Sequence, residues 1–262
     1  MQSDWSTKLP SFDLTGKNIL VTGGSRGLGR AMAEGFAEAG ADLVIASRKQ
    51  EACEAAAKEI SSKTGRRAVG VACHVGHWEE CDRLVEAAYS TFGRIHVLVN
   101  NAGMSPLYPS LPDVSEDLWD KVIAVNLKGP FRLSALVGTR MATDGGGSII
   151  NVSSGAAVQP GPNELPYAAA KAGLNAMTVG LTRAFAPTVR ANVIMPGPFL
   201  TDISKAWDME SFQERAKHQI PLRRGGEASE IVGAALYLAS DAASYTNGAV
   251  IKVDGGAAWA PA

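Results

Sequence analysis

Along the chain, short apolar runs alternate with longer stretches in which apolar residues recur every three or four positions. The runs are "ILV" at 19–21, "LVIA" at 43–46, "VGVA" at 69–72, "VLV" at 97–99, "IINV" at 149–152, "VIM" at 193–195 and "VIKV" at 250–253. Most are apolar on consecutive residues, as a strand must be when helices cover both faces of a parallel sheet. Helical patterns fill the gaps at 28–39, 51–62, 78–92, 167–186 and 229–239. This βαβα order predicts an α/β fold, a doubly wound parallel sheet of about seven strands with helices on both faces. No repeat or low-complexity linker interrupts it, and "DGGGS" at 144–148 reads as a tight helix-to-strand turn. A single domain over 1–262 follows, with 1–11 as an N-terminal tail.

Charge narrows the partners. Lys and Arg number 25 against 26 Asp and Glu, a net charge of −1, which offers no basic footprint for nucleic acid and no polybasic face for a membrane. The first ten residues, "MQSDWSTKLP", hold no apolar leader, and no stretch approaches the roughly 18 apolar residues of a membrane span. A cytoplasmic protein acting on a small molecule is the expectation. Three cysteines without a CxxC suit a reducing compartment. "CHVGHWEEC" does bring Cys73, His74, His77 and Cys81 within nine residues, but these read as packing residues, with Cys73 ending a strand and Cys81 on the core side of the next helix. No metal is expected.

Three motifs carry chemistry. "VTGGSRGLG" places Gly23, Gly27 and Gly29 between the first strand and the first helix, where backbone N–H groups and the helix dipole suit a pyrophosphate. Ser25, Arg26 and Leu28 lie in the same loop. "NNAG", with Asn101, Ala102 and Gly103, ends the fourth strand on the carboxyl edge, where ligands of open α/β sheets bind. "SSGAAVQPGPNELPYAAAK" joins Ser154 to Tyr167 and Lys171, and the i, i+4 spacing of the last two puts an ammonium near a phenol on one helix face. Taken singly, each is ordinary turn or surface chemistry.

In this order the three motifs resemble the single-domain short-chain dehydrogenase/reductase family over about 14–256. The resemblance implies a Rossmann-type fold, a nicotinamide cofactor and a catalytic quartet of Asn126 in "VNLKG", Ser154, Tyr167 and Lys171. Ser154 meets the family's thirteen-residue spacing to the tyrosine, and Ser153 does not. Lys171 is implied to bind the nicotinamide ribose as well, and Asn126 to hold a water linking Lys171 to solvent. Pro196, Gly197 and Thr201 in "MPGPFLT" resemble the loop that contacts the carboxamide and diphosphate. Thr22, Asn101 and Gly103 read as structural or cofactor-lining. Where the family has an aspartate for the adenine amino group, this chain has His74, which leaves the backbone of Val75 for that contact. A homotetramer is implied, built through the Tyr167 helix, with Ala168, Ala169, Ala172, Leu174 and Ala176 suited to close packing, and through the helix before the fifth strand and the last strand.

The residue types suit carbonyl reduction. A phenol with a pKa of about 10 shuttles protons poorly at neutral pH unless a cation favours its phenolate, and Lys171 supplies one. Ser154 would donate to the substrate oxygen. The second strand ends in Ser47 and Arg48 with no acid to accept a ribose 2′-hydroxyl, Asp42 being at its other end. Arg48 and Arg26 can therefore bracket a 2′-phosphate, which predicts NADP(H). Residues 200–219 are expected to form a mobile substrate lid, with Ile203, Trp207, Met209 and Phe212 free to close over a ligand. The pattern looks most like reductases of sugar acids, of the gluconate 5-dehydrogenase type, and of 3-oxoacyl thioesters. Arg140 alone is a poor basic patch for an acyl carrier protein. The expected activity is hydride transfer between NADP(H) and a sugar acid or small ketone; 3-oxoacyl reduction is the alternative. A regulatory dinucleotide-binding protein without turnover would be expected to lack part of the quartet.

Overall fold

The computed structural model describes residues 11–202, 204 and 208–258. Its main sheet is seven-stranded and parallel, in the order β3-β2-β1-β4-β5-β6-β9. The strands are β1 (Asn18–Thr22), β2 (Asp42–Ser47), β3 (Ala68–Ala72), β4 (Val97–Asn100), β5 (Gly147–Val152), β6 (Val189–Pro196) and β9 (Val250–Val253). From β1 the chain winds outward to β3 and then returns to β4 on the other side of β1. That reversal leaves a crevice at the carboxyl ends of β1 and β4.

The consecutive apolar runs are explained by two cores. Ile19, Val21, Leu43, Ile45, Val97 and Val99 face one side, against Met32 and Phe36 of α1 (Gly27–Glu38), Ile60 of α2 (Gln50–Thr64) and Leu238 of α8 (Val232–Ala239). Leu20, Val44, Leu98 and Ile149 face the other, against Leu84 of α3 (Trp78–Phe92) and Leu133 and Val137 of α5 (Gly129–Thr143). Successive side chains of a strand point to opposite faces, so a strand covered on both sides has no polar positions to alternate with. α6 (Leu165–Phe185) starts two residues before the pattern suggests, because Pro166 fits the first turn, where its missing N–H has no role. Cys73 and Cys81 are both buried, and the Cys81 thiol donates to the Val75 carbonyl at 3.3 Å. Among the described residues no group of three His, Cys, Asp or Glu is placed to hold a metal.

The region after β6 departs most from expectation. Phe199–Leu200 (β7) pairs in parallel with Gly226–Glu227 (β8), a short ladder that the sequence pattern does not signal. α7 (Met209–Gln219) is capped by Asp208, whose carboxylate accepts from the N–H groups of Glu210 and Ser211. Phe212 packs with Ala216 and Ile220, and Leu200 and Met209 lean on the same cluster. Phe212 is only 6% exposed, so it and Met209 anchor this segment instead of standing free to close over a ligand. Ile203 and Trp207, the other two expected lid residues, lie outside the described residues, as do 1–10 of the expected tail.

One side chain fixes the crevice. The Thr22 hydroxyl, at the end of β1, donates to the Val99 carbonyl at 3.2 Å and accepts from the N–H groups of Asn101 and Ala102, both at 3.1 Å. Thr22→Val removes the acceptor while keeping the shape, leaving the Ala102 N–H unmet and the Asn101 N–H with only the Val99 carbonyl, at 3.2 Å. We expect a loss of about 1–3 kcal/mol in urea unfolding and under about 1 kcal/mol for Thr22→Ser. Equal stability of the two variants would contradict this stitching role.

Candidate active site

The glycine loop runs from Thr22 into α1. Gly27 has φ of 56°, a left-handed conformation that disfavours side chains. A Cβ on Gly29 would collide with the Gly23 carbonyl, so close packing of the loop on the helix requires glycine there. Leu28 turns its side chain to the core. Arg26 occupies the N-cap position of α1 without a capping side chain, and the first turn holds no acid, which leaves its N–H groups available to an anion. Asn101 donates its side-chain amide to the carbonyls of Thr22 (3.0 Å) and Gly23 (3.3 Å), so it shapes the loop. Thr201 lies beside Gly27, within 3.8 Å of where a Cβ on that glycine would stand, and both line an open cleft of about 510 Å³ with Leu200 and Ala31. Beside it, Pro196 ends β6 and Gly197 donates its N–H to the Val253 carbonyl at 3.0 Å.

On the β2 side of the crevice, the Ser47 hydroxyl lies 3.0 Å from the Cys53 sulfur. Arg48 is exposed, and among the described residues neither Arg26 nor Arg48 has a hydrogen-bond or ion-pair partner for its guanidinium. Asp42 lies at the far end of β2, where it pairs with Arg66 at 2.8 Å. The His74 ring stacks on His77 with centroids 4.3 Å apart. Burial, then the neighbouring His77, holds the His74 imidazole below its usual pKa, and the Arg48 charge adds to that. No acceptor among the described residues meets the Val75 N–H, as its expected use on a ligand requires.

The expected catalytic residues gather where β4, β5 and α6 meet. Beyond the end of β5, Ser153 turns inward, 2% exposed, and donates to the Lys171 carbonyl at 3.3 Å, whereas Ser154 opens a short 3-10 turn (Gly155–Ala157) and is half-buried. The Ser154 oxygen accepts from the Ala156 N–H at 3.2 Å, which leaves its hydrogen to donate elsewhere. Burial pushes the Tyr167 phenol above its ordinary pKa, and a hydrogen bond with Ser154 pulls it partly back. Lys171, one helical turn on, is 3% exposed, with Nζ 5.7 Å from the Tyr167 ring centroid and 2.8 Å from the Val152 carbonyl. No carboxylate among the described residues pairs with it, and burial lowers its pKa to about 8. In the chain itself, then, burial dominates the phenol, and the Ser154 hydrogen bond only partly offsets it.

Asn126 sits in a π-helical turn (Ala124–Lys128) between α4 (Glu116–Ile123) and α5. Its amide nitrogen donates to the Met104 and Val122 carbonyls at 2.8 and 2.9 Å, and its oxygen accepts from the Met104 N–H at 3.2 Å. The side chain is thus consumed in holding the β4 loop. Gly103 lies beside both partners: a methyl there would stand 2.9 Å from Asn126 Oδ1 and 3.6 Å from Lys171 Nζ.

Sequence reasoning missed two supports. Tyr108, 6% exposed, donates to the Pro162 carbonyl and accepts from the Leu165 N–H, both at 2.9 Å, so a residue from the β4 loop caps the helix that carries Tyr167. Asn100, which reads as turn chemistry, is buried and donates to Asn151 Oδ1 at 2.8 Å; Asn151 donates on to Thr178 of α6 at 2.9 Å. A tyrosine on a proline-rich loop carries no such signal; two asparagines at matching strand ends were the available hint for the second.

Comparison with known proteins gives one answer throughout. The family profile described as "Enoyl-(Acyl carrier protein) reductase" matches residues 23–258. Human "Dehydrogenase/reductase SDR family member 4" is 37% identical over 245 residues, covering 93% of this chain and 88% of the relative. Among solved structures, gluconate 5-dehydrogenase from Burkholderia cenocepacia in complex with NADP and tartrate has a TM-score of 0.91 at 34% identity, covering 97% of this chain and 99% of its own. L-Sorbose reductase from Gluconobacter frateurii, complexed with NADPH and L-sorbose, has a TM-score of 0.89 at 31% identity, covering 95% and 99%.

The buried ammonium makes a stability prediction. Below pH 8 both native and unfolded chains hold the Lys171 proton and the native state bears the full burial cost. Between pH 8 and 10.5 the unfolded chain binds a proton that the native chain has released, so native stability rises with pH. Lys171→Met should therefore be more stable than the wild type by about 2 kcal/mol at neutral pH, after the lost bond to Val152, with the gap closing across that window. Urea unfolding at several pH values measures it; a variant that is less stable at pH 7 would contradict the unpaired-charge reading.

Proposed function

The chain belongs to the short-chain dehydrogenase/reductase family, and from that premise we propose that it is an NADP(H)-dependent oxidoreductase interconverting a carbonyl of a small ketone or sugar acid and the corresponding secondary alcohol. The observation that carries the reading is the convergence of Ser154, Tyr167 and a buried, unpaired Lys171 on the crevice that the glycine loop borders. The residues fit an anionic dinucleotide. The uncapped start of α1 suits the diphosphate, Arg26 and Arg48 the 2′-phosphate, the Val75 N–H the adenine, and Lys171, with one of its three N–H bonds used, the ribose. NADP and NADPH in the two related structures support that choice. When bound, the nicotinamide gives or takes the hydride.

The chain's own residues do the rest. Ser154 donates its hydroxyl hydrogen to the substrate oxygen and holds it at Tyr167. The Tyr167 hydroxyl delivers the proton as an alcohol forms, or receives it as one is oxidised. A phenol that burial holds protonated suits the donor role, and the Lys171 charge stabilises the phenolate that results, to which an oxidised nicotinamide would add its own positive charge. Asn126 holds the Met104 backbone, so its part in returning a proton from Lys171 to solvent runs through the main chain of its π-turn and a water.

Thioesters on an acyl carrier protein find less support, because Arg140 is tied to Glu86 and lies over the Tyr89 ring at 4.6 Å. Retention of the whole quartet speaks against a purely regulatory protein. A homotetramer is supported by α6, where Ala169, Ala172, Ala176 and Val179 are exposed; Ala168 and Leu174, expected at that interface, are instead buried in the chain's own fold. Three unpaired, buried thiols suit the cytoplasm, and among the described residues no helix is long and apolar enough to cross a membrane.

Tyr167→Phe should lower kcat by about 10² to 10⁴-fold while changing NADP+ affinity less than about threefold, since only the proton-bearing oxygen is lost. Near-normal kcat would sink the assignment. The wild type should prefer NADPH to NADH, and the Arg26→Ala, Arg48→Ala double variant should lose about 3 kcal/mol in kcat/KM with NADPH and almost nothing with NADH. A native preference for NADH would show that the arginines read something else.

A further inference from the structure

Two segments border the Ser154–Tyr167 pair, and neither carries charge. Residues 104–112, "MSPLYPSLP", leave β4; residues 154–163, "SGAAVQPGPN", lead from Ser154 towards Tyr167. Tyr108 clasps them together through Pro162 and Leu165. Five prolines, Pro106, Pro109, Pro112, Pro160 and Pro162, stiffen the pair, so the wall they form is largely set before a substrate arrives.

The exposed residues of this wall are apolar or neutral. Leu107 (78%), Leu111 (55%), Val158 (37%) and Leu165 (38%) are open to solvent, with Val158 four residues past Ser154 and Leu165 two before Tyr167. The charges that end the two segments are both negative. Asp113 accepts from the Ser110 hydroxyl at 2.6 Å and Glu164 from the Gly161 N–H at 3.3 Å. The site's own cation, Lys171, is buried, and on α7 both Lys217 and His218 pair with Glu214. Among the described residues, a substrate carboxylate would thus meet two acids and no cation along this wall.

We propose that the clasped wall selects uncharged ketones with apolar substituents and disfavours sugar acids. The inference rests on the carbonyl-reductase reading and specifies its substrate class. Leu107 and Val158 make the apolar contact, and each turnover consumes one NADPH and one proton per ketone reduced to alcohol.

A matched pair isolates the charge: 3-benzoylpropionate and its methyl ester share one ketone and differ by one carboxylate. With NADPH and the full chain, we expect the ester to exceed the acid at least about tenfold in kcat/KM, with 5-ketogluconate below both. Leu107→Arg, at an exposed position that folding tolerates, should narrow the ester-to-acid ratio several-fold without altering NADPH affinity measured by fluorescence. Preferential turnover of the acid or of 5-ketogluconate, lost in Tyr167→Phe, would overturn the inference and leave the reductase reading standing. An unchanged ratio in Leu107→Arg would place selection elsewhere and overturn the role of the wall. No Tyr167-dependent oxidation of NADPH by any of the three would overturn both.

Discussion

An ammonium group sits in the interior of this protein with no counter-ion among the described residues, and the site is organised around it. Lys171 is held by α6 against the end of β5, bonded to the Val152 carbonyl and, among the described residues, to no carboxylate. Burying a charge this way is costly, and a core apolar side chain would serve the fold better. The cost becomes intelligible if the charge acts on partners that come and go: a ribose hydroxyl on one side and a phenolate on the other. Its effect on Tyr167 depends on that setting, because in the chain alone burial dominates the phenol. On the proposed reading, a bound oxidised cofactor would add a second positive charge to that of the lysine.

The scaffold keeps this arrangement stiff at small scale. Thr22 fixes the β1 edge to the β4 turn, Asn101 braces the glycine loop, Asn126 braces Met104, and Tyr108 caps the helix carrying the tyrosine. Each is a polar side chain spent on backbone, which sets geometry without touching a ligand. The crevice between β1 and β4 follows from strand order alone, since the reversal of winding parts the flanking loops there. What individualises the chain is its periphery: two guanidinium groups without partners among the described residues at one end, and an uncharged, proline-stiffened wall at the other.

The sheet was legible because strands covered on both faces must be apolar on successive residues, and every one of the seven runs became a strand. α3 matched its pattern at both ends because it is amphipathic, with Cys81, Leu84, Val85 and Ala88 turned inward. Ser154 and its neighbour Ser153 were separable by spacing, and the structure places them on opposite sides of the backbone turn, one half-buried near the phenol and one buried. Other features were not legible. The β7–β8 ladder is two residues long and made by pairing, not periodicity. Phe212 reads as available when only its own helix is considered, and its burial depends on Leu200 and Ala257 arriving from elsewhere. The clasp by Tyr108 spans 57 residues to Leu165, beyond the reach of any local pattern.

The chain alone keeps Tyr167 protonated, and on the proposed function a bound oxidised cofactor, acting with Lys171, would free its proton. The ultraviolet phenolate signal of Tyr167, taken as wild type minus Tyr167→Phe and titrated with alkali, reads this directly. Without cofactor the midpoint should lie above the ordinary tyrosine value of about 10, and with saturating NADP+ it should fall by more than about one unit. A midpoint that NADP+ leaves unmoved, or one already well below 10 in the chain alone, would contradict the account.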